Sequence, residues 1–153
     1  MENTLSVAKV LYKMYAERYG SVMDEMKMHK LMYFAQRESL MNSKQLLFQE
    51  DFYGWKFGPV LKSVRSEYMQ KNPFASASDS LLDSTKQLLS DVLVRYGQMS
   101  SWTLSRLSHD EFSWKTARKG LNSDENGDVK MTVDTMMLDA ARELMNRKNL
   151  TLV

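Results

Sequence analysis

With 153 residues, 43% of them apolar, the chain has enough hydrophobic material for one globular core; a domain of this size hides roughly 70% of its extended surface on folding. Its 21 basic and 19 acidic side chains leave a formal charge of +2, too even to grip a nucleic-acid backbone by electrostatics alone. The absence of cysteine excludes a disulfide framework and thiolate metal sites. No stretch approaches the roughly 20 apolar residues of a membrane span, and the N-terminus lacks a signal peptide's apolar run, so a cytoplasmic protein is expected.

Val7, Val10, Leu11, Met14 and Tyr15 recur at helical spacing between the caps Thr4 or Ser6 and Gly20, which predicts a first helix. A second helix starts at a Ser21 or Asp24 cap and runs to about residue 40. Met28, Leu31, Met32 and Ala35 form its buried stripe, and Lys27, Lys30 and Arg37 lie mostly off it. After a polar loop at 42–45, residues 48–57 are rich in aromatics and read as a short strand. Gly58-Pro59 reads as a sharp turn, with Pro59 opening a short third helix that carries Val60, Leu61, Val64 and Tyr68 and stops near Asn72-Pro73.

A Ser-rich loop at 75–80 leads into a helix with Leu81, Thr85, Leu88, Val92 and Tyr96 on one stripe, started by Asp79 or Ser80 and ended by Gly97. Ser100 or Ser101 caps a short helix with Trp102, Leu104 and Leu107, and residues 111–118 make another brief helix around Trp114. Asn126-Gly127 suits a tight turn, residues 129–131 a short extended piece, and residues 134–147 a last helix turning Met136, Met137, Ala140, Ala141 and Leu144 inward. The expected fold is a compact multi-helix single domain over residues 1–153, mainly α with a small β-hairpin or sheet.

Signatures of common chemistry are missing: no GxSxG elbow, P-loop, GxGxxG, HxxxH or HExxH occurs, and the acidic turn at 124–128 fails the calcium-loop pattern. No metal, cofactor or catalytic set is expected. His29 reads as a surface or helix-flank histidine, and His109 as a helix-end residue tying down a turn. Glu50-Asp51 and Asp110-Glu111 read as surface charges or caps, because sequence neighbours need not face each other. The 13 methionines sit mostly on helix stripes as core filler. Within the aromatic strand, Tyr53, Trp55 and Phe57 share one face and Phe52 and Lys56 the other, so one face is core and the other accessible. With only Lys56 and Lys62 close by, protein binding ranks above stacking on single-stranded nucleic acid. Two other classes stay open: an enzyme using His109 with Asp110 or Glu111, and a DNA-binding regulator reading through Lys115, Arg118 and Lys119.

Three blocks, KMHKLMYFAQ at 27–36, LFQEDFYGWKFGPV at 47–60 and LSRLSHDEFSWKTAR at 104–118, come in an order that resembles the Panacea antitoxin domain, the family of phage-associated GepA-like and SocA-like proteins. Gly54 stands where Ala is expected, and Ser113 where Pro is common. The resemblance implies a module that neutralises a cognate protein toxin encoded nearby, by a masking complex or, as for a SocA-like member, by delivery to an ATP-dependent protease. A homo-oligomer is left open. The partner-binding candidates are then His29, Tyr33, Phe52, Tyr53, Lys56, Lys62 and His109. Lys27, Leu31, Gln36, Trp55, Gly58, Pro59 and Trp114 are signature positions that serve the fold first, and truncating a buried Trp55 should cost about 3–5 kcal/mol.

Overall fold

The computed structural model describes residues 1–152, with side chains through residue 149. The elements in chain order are α1 (Thr4–Tyr19), α2 (Glu25–Ser43), β1 (Tyr53–Trp55), β2 (Gly58–Val60), α3 (Lys62–Tyr68), α4 (Asp83–Tyr96), α5 (Ser101–His109), α6 (Phe112–Ala117) and α7 (Val133–Leu152). The mainly α fold with a small β element follows the expectation.

Helix α2 is the axis of the molecule. Its side chains from Lys27 through Leu40 are all buried, because α1, α3, α4, α5, α7 and β2 pack around it. A one-sided stripe is therefore not what the chain forms. Lys27, Lys30 and Arg37, expected off the buried face, are all inside. Long cations tolerate burial only where partners replace water. Lys27 Nζ donates to Tyr15 Oη at 3.2 Å and to the Gly97 carbonyl at 3.1 Å. Arg37 donates to Glu111 at 2.9 Å and to Tyr96 Oη at 2.7 Å while lying over the Phe34 ring.

The interface between α2 and α7 is consequently polar. Met136 and Ala140 face inward as expected, but Ala141 and Leu144 point outward, and Asp139 lies between the helices with 1% of its surface exposed. Asp139 accepts from Tyr33 Oη at 3.1 Å and from the N–H groups of Phe112 and Ser113 at 2.7 and 2.9 Å, capping α6 from a different helix. Glu111, expected at the surface, is buried. It accepts from Tyr33 Oη at 2.6 Å and from Arg142 at 3.1 Å. Burial, reinforced by Glu111, pushes the Tyr33 phenol well above its ordinary pKa, so it stays a neutral donor. Burial is the largest single influence on Arg37 and disfavours its charge, but Glu111, Tyr96, Tyr33 and Glu143 together outweigh it and raise the guanidinium pKa.

A second buried polar clamp fixes the chain entering the hairpin. Gln36 accepts from the Leu47 N–H at 2.7 Å and donates to the Phe48 carbonyl at 2.8 Å, holding a segment that also forms a single parallel bridge with Glu2, whose N–H donates to the Leu47 carbonyl at 2.8 Å. Glu50, the other carboxylate read as a cap, does cap: its Oε2 accepts from the Ser63 N–H at 3.1 Å at the start of α3.

The β element is shorter than residues 48–57, and Gly58-Pro59 is not its terminating turn. β1 and β2 pair antiparallel as Tyr53↔Val60, Gly54↔Pro59 and Trp55↔Gly58, so the turn is Lys56-Phe57 and Pro59 lies within a strand. Gly54 directs its N–H away from Pro59, to the Val129 carbonyl at 2.9 Å, so the pair opposite Pro59 needs no donor from it. Met131 N–H adds a bond to the Phe52 carbonyl at 2.8 Å, so the extended piece expected at 129–131 lies along the hairpin's outer edge. Smaller shifts concern helix ends. Asn3 rather than Thr4 or Ser6 caps α1, α2 continues to Ser43 before Lys44 turns left-handed at φ 59°, and α4 begins after Leu82 because Asp79 is paired with Lys13.

Two stability predictions follow from this packing. Glu111→Ala leaves Arg37 buried without its carboxylate and should destabilise by about 3–5 kcal/mol in urea unfolding. A Cβ on Gly54 would lie 2.8 Å from the Ala117 Cβ. Gly54→Ala should therefore cost about 1–3 kcal/mol by overpacking, and adding Ala117→Gly should recover most of the loss in Tm.

Candidate functional site

The hairpin is braced from beneath by α5 and α6. Trp114 Nε1 donates to the Trp55 carbonyl at 2.8 Å, and the His109 ring stacks on Trp114 with centroids 4.0 Å apart and planes within 8°. Arg118, buried, donates to the carbonyls of Gly54, Asn122, Glu125 and Asn126, tying the 120–128 loop to the same hairpin. Of the three side chains a DNA-reading helix would have used, Arg118 is thus fully engaged inside the protein. Burial lowers the His109 pKa against a hydrogen bond with the Phe57 backbone, which leaves the imidazole neutral at pH 7.

On the outer side a chain of contacts links the candidates. Lys62 Nζ stands 3.9 Å above the Tyr53 ring and pairs with Asp128 at 3.1 Å, and the Trp55 indole N–H donates to the same carboxylate at 3.1 Å. Arg65 lies over the Trp55 ring and pairs with Glu25 at 3.1 Å. Glu25 in turn accepts from His29 Nε2 at 2.9 Å, and His29 Nδ1 accepts from the Leu61 N–H at 3.2 Å, which assigns the imidazole hydrogen to Nε2. The bond from His29, ahead of the Arg65 charge, holds the Glu25 carboxyl below its usual pKa despite partial burial.

Between hairpin and α2 lies a cavity of about 100 Å³, lined by Glu25, Met26, His29, Lys30, Trp55 and Lys56 together with the hairpin turn and Arg65. Gly58 sits against its floor with φ 129°, a conformation that disfavours any side chain, and a Cβ there would lie 3.1 Å from Ser108 Oγ and 3.6 Å from Lys30 Cε. Lys30 was not among the expected site residues. Burial lowers its pKa to about 8, relieved only by the through-space charge of Asp24. A second, open cleft of about 550 Å³ lies over the buried ion network, lined by Arg37, Arg95, Tyr96, Lys115, Arg142 and Glu143 among others, and none of the expected partner-binding residues lines it.

The expected partner-binding set divides by burial. His29 is inside rather than on a helix flank and lines the hairpin cavity, and Tyr33 and Phe52 are sealed in the core. Tyr53, Lys56 and His109 are half-buried and Lys62 is exposed. The signature positions Lys27, Leu31, Gln36, Gly58 and Pro59 are buried, whereas Trp55, expected in the core, is half-exposed and walls the cavity. At the hairpin tip Phe57 is 60% exposed, and Trp102, 76% exposed, lies one helical turn before Ser105, whose Oγ donates to the Phe57 carbonyl. Among the described residues no group of three or more His, Asp or Glu is placed to hold a metal ion, and no helix is long and apolar enough to cross a membrane.

A family model for the antitoxin SocA-like, Panacea domain matches residues 28–115, from the first turn of α2 through most of α6. The chain belongs to this family. All the signature positions but Lys27 fall within the match, and so does the whole hairpin. Neither a curated protein nor a solved structure gives a significant match.

The site yields a direct measurement on this Panacea domain. The Lys30 side-chain NMR signals should titrate with a midpoint near 8, apart from the surface lysines near 10.4. Because the folded pKa lies below that of the unfolded chain, the unfolded state binds more protons between about pH 8 and 10.5, and stability rises with pH across that window. Lys30→Met should abolish this dependence and stabilise the free protein by about 1–3 kcal/mol at pH 7.

Proposed function

We propose that this Panacea domain is a non-enzymatic, antitoxin-like binding module that neutralises a cognate protein toxin by direct complex formation, with the hairpin tip as its central contact. The observation that carries the reading is the exposed Phe57 at the tip of a hairpin held from beneath by Trp114, His109 and Arg118. Anchors that dominate interfaces are aromatic or arginine side chains presented on rigid supports, since little ordering entropy is then lost on binding. Lys56 Nζ lies 5.0 Å from the Phe57 ring centre and Trp55 lines the same cavity, while Tyr53 and Lys62, in contact with each other, add half-exposed aromatic area and a second cation, and exposed Trp102 adds apolar area on α5. His109, neutral and stacked, supports this surface and takes no part in proton transfer in this reading.

Growth of bacteria expressing the open reading frame beside this gene, with and without the domain, tests the proposal. The domain should restore growth and co-purify with a toxin that remains at full level. Loss of the toxin protein would instead indicate delivery to an ATP-dependent protease. Phe57→Ala, altering an exposed side chain, should abolish rescue with Tm unchanged, and rescue by Phe57→Ala as efficient as wild type would remove the hairpin tip from the contact.

A further inference from the structure

Among the described residues Lys30 has no hydrogen-bond or ion-pair partner in the hairpin cavity, whereas Arg65 pairs with Glu25 and Lys56 lies over the Phe57 ring. Lys30 is 2% exposed. Among the described residues its ammonium has no hydrogen-bonded acceptor, only the through-space charge of Asp24. Around it Lys56 and Arg65 add positive charge, while the single carboxylate in the lining, Glu25, is already engaged by His29 and Arg65. The walls are apolar above, from Met26, Trp55 and Phe57, and open at the floor where Gly58 brings no side chain against Lys30. The cavity of about 100 Å³ is enough for several water-sized groups. The ammonium keeps only a narrow access to solvent, through the cavity, and an anion entering there would offset the cost of holding a charge in so enclosed a place.

We propose that this cavity binds one acidic side chain of the partner protein, its carboxylate paired with Lys30 Nζ and its methylenes packed against Trp55 and Phe57. The inference rests on the hairpin tip being the contact face, and it assigns that face a chemistry: the toxin surface it recognises carries an exposed Asp or Glu. A charge-assisted bond of this kind, made in a desolvated pocket, contributes specificity because a neutral residue would leave Lys30 unpaired.

The cavity is testable without the toxin. In NMR titrations of the full chain, sodium acetate should shift the Trp55 indole N–H and the amides of Phe57, Gly58 and Val60 saturably, beyond sodium chloride at equal ionic strength. Lys30→Met should weaken acetate binding by about tenfold or more, and Lys86→Ala, at an exposed position on α4 outside the cavity lining, should leave it unchanged. The melting temperature of each sample reports whether it is folded. Absence of saturable shifts, or equal acetate affinity in Lys30→Met, overturns the carboxylate site. With the toxin pair, Lys30→Met should lose growth rescue although the domain is more stable, and full rescue overturns the assignment of the partner's acidic side chain to this cavity. Failure of the wild-type domain to rescue overturns the antitoxin reading instead, and the acetate result then stands by itself as a property of the cavity.

Discussion

A guanidinium at the centre of a small protein has to be answered by the rest of the chain, and Arg37 on α2 sets that demand. Its partners arrive from three directions: Tyr96 from α4, Glu111 from just before α6, and Glu143 from α7 at 3.8 Å. Each partner fixes the rotation of its own helix about α2. Leaving any of them misplaced would strand a buried charge, which costs far more than a missing apolar contact. The apolar core around Tyr33, Phe34, Phe48, Phe52 and Phe74 supplies most of the driving force for collapse. The charged layer selects which collapsed arrangement is native.

The same layer positions the hairpin. Glu111 and Asp139 hold α6 at its first turn, α6 carries Trp114 to the Trp55 carbonyl, and Arg118 just beyond the helix closes the loop over Gly54. A surface feature only three residues per strand in length thereby inherits the rigidity of the core. Isolated hairpins of that size are not stable in water, so the shape of this face depends on the bracing.

Much of this arrangement was legible in the sequence. The helices followed from apolar spacing, and the order of the three family blocks pointed to the domain. What escaped was set by tertiary partners. Lys27 and Arg37 are identical to surface residues in any periodicity count, and only Tyr15, Gly97, Glu111 and Tyr96, distant in sequence, decide that they are inside. Asp139 likewise displaces Ala141 and Leu144 from the buried face because α2 offers it a phenol and α6 two free N–H groups. The turn was misplaced by two residues because glycine and proline mark turns on average, whereas here Gly58 is needed for close approach to Lys30 and Pro59 falls opposite a residue that asks nothing of it. At the site, Tyr53, Lys56 and Lys62 stand at the surface, while Phe57 gains its prominence only from the position of the turn.

The family match ends at residue 115, yet the carboxylate that caps α6 and the second arginine on Glu111 come from Asp139 and Arg142 on α7, and α1 covers α2 from another side. The recognisable stretch is therefore not the folding unit. A transplant of residues 28–115 onto another protein would carry the hairpin without the scaffold that shapes it. Sequence change on the hairpin face is coupled to segments outside the signature, which must keep matching the buried charges whenever that face changes.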